Sequence, residues 1–160
     1  MVRRFMPVVA AALLAGLIVG GVSRGSSSEE GSHQRNFRAL EVTGEEHFVD
    51  VDGNNDFSPG DEFIFTDDLK TPSGSKKIGS LTGICTFTQI VSEEDSSGHC
   101  VFTATVQGGT IEIAGLVHFS SQTDFVVAIT GGTQRYDEAH GQVFGTDQQD
   151  GTTLLRFDVD

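Results

Sequence analysis

After residue 25, no stretch of this 160-residue chain keeps apolar side chains at the i, i+3, i+4 and i+7 positions of a helix face; short alternating runs recur instead. Phe63 and Phe65, Cys85 and Phe87, the series Cys100, Phe102, Ala104 and Val106, the series Ile111, Ile113, Val117 and Phe119, and the series Phe125, Val127 and Ile129 each keep one parity within their run. Gly, Asp, Asn and Ser clusters separate the runs. Successive side chains of a strand point to opposite faces, so this pattern predicts strands near residues 37–51, 60–69, 76–91, 99–107, 109–119, 123–131, 139–147 and 152–159. The domain is expected to be all-β. Eight antiparallel strands in chain order point to a single eight-stranded barrel, because closure removes the exposed edges of an open sheet. A two-sheet sandwich is the alternative.

The first 24 residues have the form of an export segment. Arg3 and Arg4 precede an uncharged apolar run, Phe5 to Val22, broken only by Pro7, and Ser26 to Ser32 then forms a polar stretch suited to a flexible linker. The expected organisation is a signal peptide or membrane anchor over 1–24, a linker over 25–36 and a barrel over 37–160. Cleavage predicts a secreted protein. Retention would anchor it to the outer face of the membrane, since a run of this length is just able to span a bilayer.

The formal charge is −13, and it becomes −16 without Arg3, Arg4 and Arg24, because residues 1–24 contain no acidic side chain. Such a field repels nucleic-acid phosphates, and no basic stripe offsets it. Nucleic acid is therefore excluded as a partner. Membrane contact is expected only through an uncleaved N-terminal segment.

On the interior parity the polar residues are Asp61, Asp67 and Gln89, with Tyr136 near one mouth. An apolar chamber with a few polar groups is what a small hydrophobic ligand needs. The candidate ligand-binding residues are Phe63, Phe65, Asp67, Phe87, Gln89, Phe102, Phe125 and Tyr136. Two outcomes are open, a chamber lined by these phenylalanines or a barrel filled solid by them. Asp61 and Asp67 have a second reading too, at strand ends in water. Ala114 and Leu116 make the opposite face of their strand partly apolar, which marks a place for contact with a second copy of the chain.

The two cysteines, Cys85 and Cys100, form a disulfide if the chain is exported, and are buried thiols otherwise. A symmetric hairpin centred near Asp95 would set Cys85 opposite Thr105, so the bridge requires a turn nearer Ser92 or a bulge that shifts the register. Asp50, Asp52, Asn54 and Asp56 alternate like the first half of a calcium loop. However, Asn55 and Asp61 stand where an EF-hand needs Gly and Glu, and a turn between strands accounts for the composition. The five histidines lack metal-ligand spacing, and no serine sits in a nucleophile elbow. No metal and no cofactor is expected.

Near the end of the strand series stands Thr130-Gly131-Gly132-Thr133-Gln134-Arg135-Tyr136-Asp137-Glu138-Ala139-His140-Gly141, after Phe125 to Ile129. Its paired glycine is expected to supply the positive φ angles of a tight turn. Together with Gly60 to Leu69 and Gly83 to Phe87, this segment resembles the bacterial allene oxide cyclase-like and dirigent-like barrels over residues 37–160. The resemblance implies an eight-stranded barrel that binds a reactive, largely apolar molecule and steers its cyclisation or stereoselective coupling. If the protein is an enzyme, it implies an isomerase or cyclase. The chain departs from the family turn at Gln134, where Gly is usual, and at His140, where Arg is usual. A noncatalytic structural, carrier or interaction barrel is the reading from another class.

Overall fold

The computed structural model describes residues 36–92, 95–120 and 124–160. The expected export segment, and the linker as far as residue 35, lie outside them. Asn36, the last residue of that linker, belongs to the barrel, because its side-chain oxygen accepts the Val159 N–H at 2.8 Å.

The alternating runs form eight strands: β1 (Phe37–Val49), β2 (Glu62–Lys70), β3 (Lys77–Ser92), β4 (Asp95–Val106), β5 (Gly109–Ser120), β6 (Phe125–Gly132), β7 (Gly141–Asp147) and β8 (Thr153–Val159). Each pairs antiparallel with the next, and β1 pairs with β8 to close the barrel. The sheet alternative is thereby excluded. The start of β4 differs most from expectation, since the Ser-rich stretch before His99 reads as a turn in sequence yet continues the ladder with β3.

Two irregularities in β3 explain how. Phe87 faces Gly98 but Gln89 faces Ser97, and Ile90 faces Ser96 but Ser92 faces Asp95, so β3 carries one extra residue at each step. These bulges move the hairpin's centre and bring Cys85 directly opposite Cys100, where they form a disulfide.

The two ends of the barrel are filled differently. Around the start of β1 and the end of β8, Phe37 stacks on Phe157 with ring centroids 4.3 Å apart. Leu69, Ile111, Val143, Leu155, Phe157 and Val159 are fully buried in this half. The opposite end gathers Phe63, Phe65, Phe102, Phe119 and Phe125, and it stays open.

Outside, Ile64 pairs with Ile84, Ile84 with Val101 and Val101 with Ala114. Val101, Leu116 and Val126 remain exposed on this face, as the second apolar parity of β5 anticipates.

The turn after β6 is longer than its paired glycine implies: Gly131 carries a positive φ of 159°, and further positive angles fall beyond the pair. Strand β6 runs through Gly132, a 3-10 turn follows over Gln134–Tyr136, and the left-handed positions are Gln134 (φ 58°) and Glu138 (φ 61°). Gly132 is needed for closeness, since a Cβ there would lie 2.4 Å from the Thr110 carbonyl oxygen and 2.5 Å from that of Tyr136.

Candidate functional site

At the open end lies a cavity of about 190 Å³. The phenylalanines leave it empty because several of their rings lie across glycines on the neighbouring strand instead of projecting to the axis. Phe65, Gly83 and Phe102 face one another in register, and a Cβ on Gly83 would come within 2.6 Å of the Phe65 ring and 2.7 Å of the Phe102 ring. Phe125 faces Gly145 in the same manner, with 2.2 Å to a hypothetical Cβ. Ring centroids of Phe63 and Phe65 are 5.8 Å apart, and those of Phe65 and Phe102 are 5.7 Å apart, so the rings form one wall.

Glu41, Thr43, Glu46 and Asp67 are polar residues of the lining. Glu41 and Glu46 have opposite parity, and a uniform strand would send one of them outward. Strand β1 breaks its register between Val42 and Glu45, where it holds one residue more than β2, and both carboxylates thereby reach the cavity. Gly44, inside this bulge, donates its N–H to Asp67 Oδ1 at 2.7 Å. It must be glycine, because a Cβ would meet the Thr66 carbonyl oxygen at 2.2 Å.

Burial pushes the Glu41 carboxyl up to about 8, with a hydrogen bond to Asp67 and the negative charges of Asp67, Asp147 and Glu46 acting in the same direction. Glu41 therefore tends to hold its proton at neutral pH, beside Asp67, which is itself buried. A proton donor and an acceptor stand together on an otherwise aromatic wall. That is the arrangement general acid and base chemistry requires.

Of the residues singled out in the sequence, Phe63, Phe65, Asp67, Phe102 and Phe125 come together at this cavity. Phe87 stands behind it, packed between Phe57 at 4.6 Å and Phe119 at 5.3 Å. Gln89 is exposed, because the bulge after Phe87 reverses the parity of β3. Tyr136 is buried at the opposite end, beside Phe37, Ile78 and Val106, away from the cavity. Glu41 and Thr43 were readable in principle, since they continue the inward parity of Phe37 and Ala39. Glu46 was not, because only the bulge turns it inward.

Asp61 is buried, contrary to a place in water, but it serves the loop between β1 and β2. Its carboxylate accepts the N–H groups of Val51 at 3.0 Å and Ser58 at 2.8 Å. Asp50, Asp52 and Asp61 bring oxygens within 4.8 Å of one another. Asp50 is occupied by the loop's own backbone, whose N–H groups, that of Asn55 foremost and then that of Gly53, hold its carboxyl below the usual range. The cluster organises a turn, as the composition implies.

A second polar group ties β4 to β5. Ser97 Oγ lies 2.8 Å from His118 Nδ1, and His118 Nε2 lies 3.3 Å from Asp95. Ser97 is 21 residues from His118, so no sequence spacing announces the contact, and the group is separate from the cavity lining.

No family model and no curated protein matches the chain in sequence. Solved structures do match it in three dimensions. A pyocyanin demethylase superposes with a TM-score of 0.66 at 23% identity, over 78% of this chain and 99% of that one. A pterocarpan synthase dirigent protein gives a TM-score of 0.57 at 23% identity, over 78% and 91%. A Diels-Alderase from Streptomyces koyangensis gives 0.55 at 17% identity, over 79% and 70%. The chain has the dirigent-like barrel fold. The resemblance read from the sequence thus holds at the level of architecture, and three chemistries share that architecture, so the fold by itself names no reaction.

Proposed function

We propose that the barrel takes a small, largely hydrophobic molecule into its open end and guides the cyclisation or stereoselective coupling of that molecule. The observation that carries this reading is the placement of Glu41 and Asp67 together on a cavity wall of phenylalanines, where burial raises the Glu41 carboxyl. The rings hold the ligand in a near-attack conformation, a contribution of several kcal/mol in well-oriented systems. Glu41 gives its proton to an oxygen of the electrophilic end as the ring bond forms, and Asp67 accepts the proton released elsewhere on the molecule. Return of that proton to Glu41 resets the pair, so a cyclisation balances as an isomerisation without a co-substrate, whereas in a coupling the barrel only orients partners activated elsewhere by an oxidant. Neighbours of the same fold that are dirigent proteins and Diels-Alderases support it.

We also propose that the chain works outside the cytoplasm. The basic start and apolar run of its first residues support export, as does the Cys85–Cys100 bridge, since disulfides persist in oxidising compartments.

The test is titration of the full-length protein with 1-methylnaphthalene, a neutral two-ring probe. The chain has no tryptophan, which leaves the probe's emission unobscured. Saturable binding that weakens in Phe65→Ala is expected, and absence of saturable binding would sink the reading. With a turned-over substrate in hand, Glu41→Gln should keep binding and lose turnover. A noncatalytic barrel that assembles through its outer face is the competing reading, favoured by the exposed Val101, Leu116 and Val126. Sedimentation decides it: a complex between copies that dissociates in Leu116→Asp, with no probe binding, would replace the first reading.

A further inference from the structure

The cavity's electrostatics narrow the ligand class, on the premise that the cavity is the binding site. Its charged lining, among the described residues, is acidic throughout: Glu41, Glu46 and Asp67 contribute carboxyl groups, and no described lysine, arginine or histidine lines it. Asp147 lies close enough to add to the negative field at Glu41. The remaining wall presents phenylalanine rings, whose faces carry negative charge density. An anionic ligand meets repulsion here and finds no cation among the described residues of the lining. A neutral ligand gains only burial. A flat organic cation gains burial, attraction to the ring faces and attraction to the carboxylates together.

We infer that the cavity selects a planar aromatic cation, a quaternised or protonated nitrogen heterocycle of about two fused rings, with its ring plane against Phe65 and Phe102 and its positive nitrogen toward Glu46 and Asp67. The size follows from the volume: a dry cavity of about 150 Å³ holds benzene, and the 190 Å³ here opens toward solvent at its mouth. Burial is the main cause of the raised Glu41 carboxyl, and the negative charges of Asp67, Asp147 and Glu46, which add to it, also favour a cation placed beside them. The formal charge of −13 on the whole chain adds long-range attraction for the same ligand.

Three probes of nearly equal shape test the inference on the full-length protein: N-methylquinolinium, 1-methylnaphthalene and 1-naphthoate. The cation should bind at least tenfold more tightly than the neutral probe, the anion should not bind measurably, and added salt should weaken only the cation. Glu46→Gln, a change at an exposed mouth residue, should weaken the cation about threefold and leave the neutral probe unchanged. Equal or tighter binding of 1-methylnaphthalene overturns the cation inference and leaves the cavity reading standing. Failure of all three probes overturns the cavity reading itself. A cation preference untouched by both Glu46→Gln and Phe102→Leu belongs to the outer acidic surface and overturns the inference equally.

Discussion

The two halves of the barrel interior use the same alternation and reach opposite results. At the start of β1, aliphatic side chains pack against Phe37 and Phe157, leaving a shallow pocket of about 160 Å³ beside Phe37, Ile78, Val106, Gln107 and Tyr136. At the other end the inward positions hold phenylalanine and glycine on facing strands, so the rings lie flat and a cavity survives. Apolar residues on one parity guarantee burial, and the volumes paired across strands decide whether burial leaves room. The halves also differ in charge. The pocket at the packed half has no acidic side chain in its lining among the described residues, whereas the open half keeps Glu41, Glu46 and Asp67.

Truncation should expose this difference most strongly. Phe157→Ala removes a fully buried ring from the packed half and is expected to cost about 3 to 5 kcal/mol in denaturant unfolding. Phe102→Ala, beside space that is already empty, should cost clearly less. Equal losses would mean that the halves are packed alike.

The pH dependence of stability isolates the charged half. Glu41 titrates near 4.5 when unfolded and near 8 in the barrel, so between these values the folded chain keeps a proton that the unfolded chain has lost. Stability should therefore fall as pH rises across that window and level off above 8, by an amount on the order of a few kcal/mol. Glu41→Gln imitates the protonated form and should flatten the curve; an unchanged slope in the variant would show that another group is responsible.

The disulfide borders the cavity and closes a separation of 15 residues. Replacing both cysteines by serine is expected to lower stability by about 3 kcal/mol. Gly83→Ala should cost about 1 to 3 kcal/mol through crowding of Phe65 and Phe102, and it should weaken binding of 1-methylnaphthalene. If Gly83→Ala were neutral in both measurements, the flat placement of these rings would not be what keeps the cavity open. The smallest effect belongs to the turn after β6. Gln134 occupies a left-handed position, and Gln134→Gly is expected to raise the melting temperature slightly, by about 0.5 to 1 kcal/mol of stability.

The resemblance and the alternation together make the barrel readable, and the inward parity alone places Phe63, Phe65, Asp67, Phe102 and Phe125 in the interior. Gln89 was misplaced for a definite reason: parity is counted residue by residue, and one extra residue after Phe87 inverts everything that follows. The same device in β1 concealed Glu46. Tyr136 lies in the segment that carries the family resemblance, yet it packs at the opposite end from the cavity.

What the sequence determined by itself is whatever depends on neighbours along the chain: the strand period, the turn composition, the acidic charge and the pair of cysteines that a bulge could align. The tertiary structure alone decided which residues meet across strands. Bulges set the register, register set which rings lie over which glycines, and a separate bulge in β1 turned Glu46 to the side where Glu41 and Asp67 already stand. These are contacts between residues far apart in sequence, whose geometry a single inserted residue reverses, so local pattern cannot encode them.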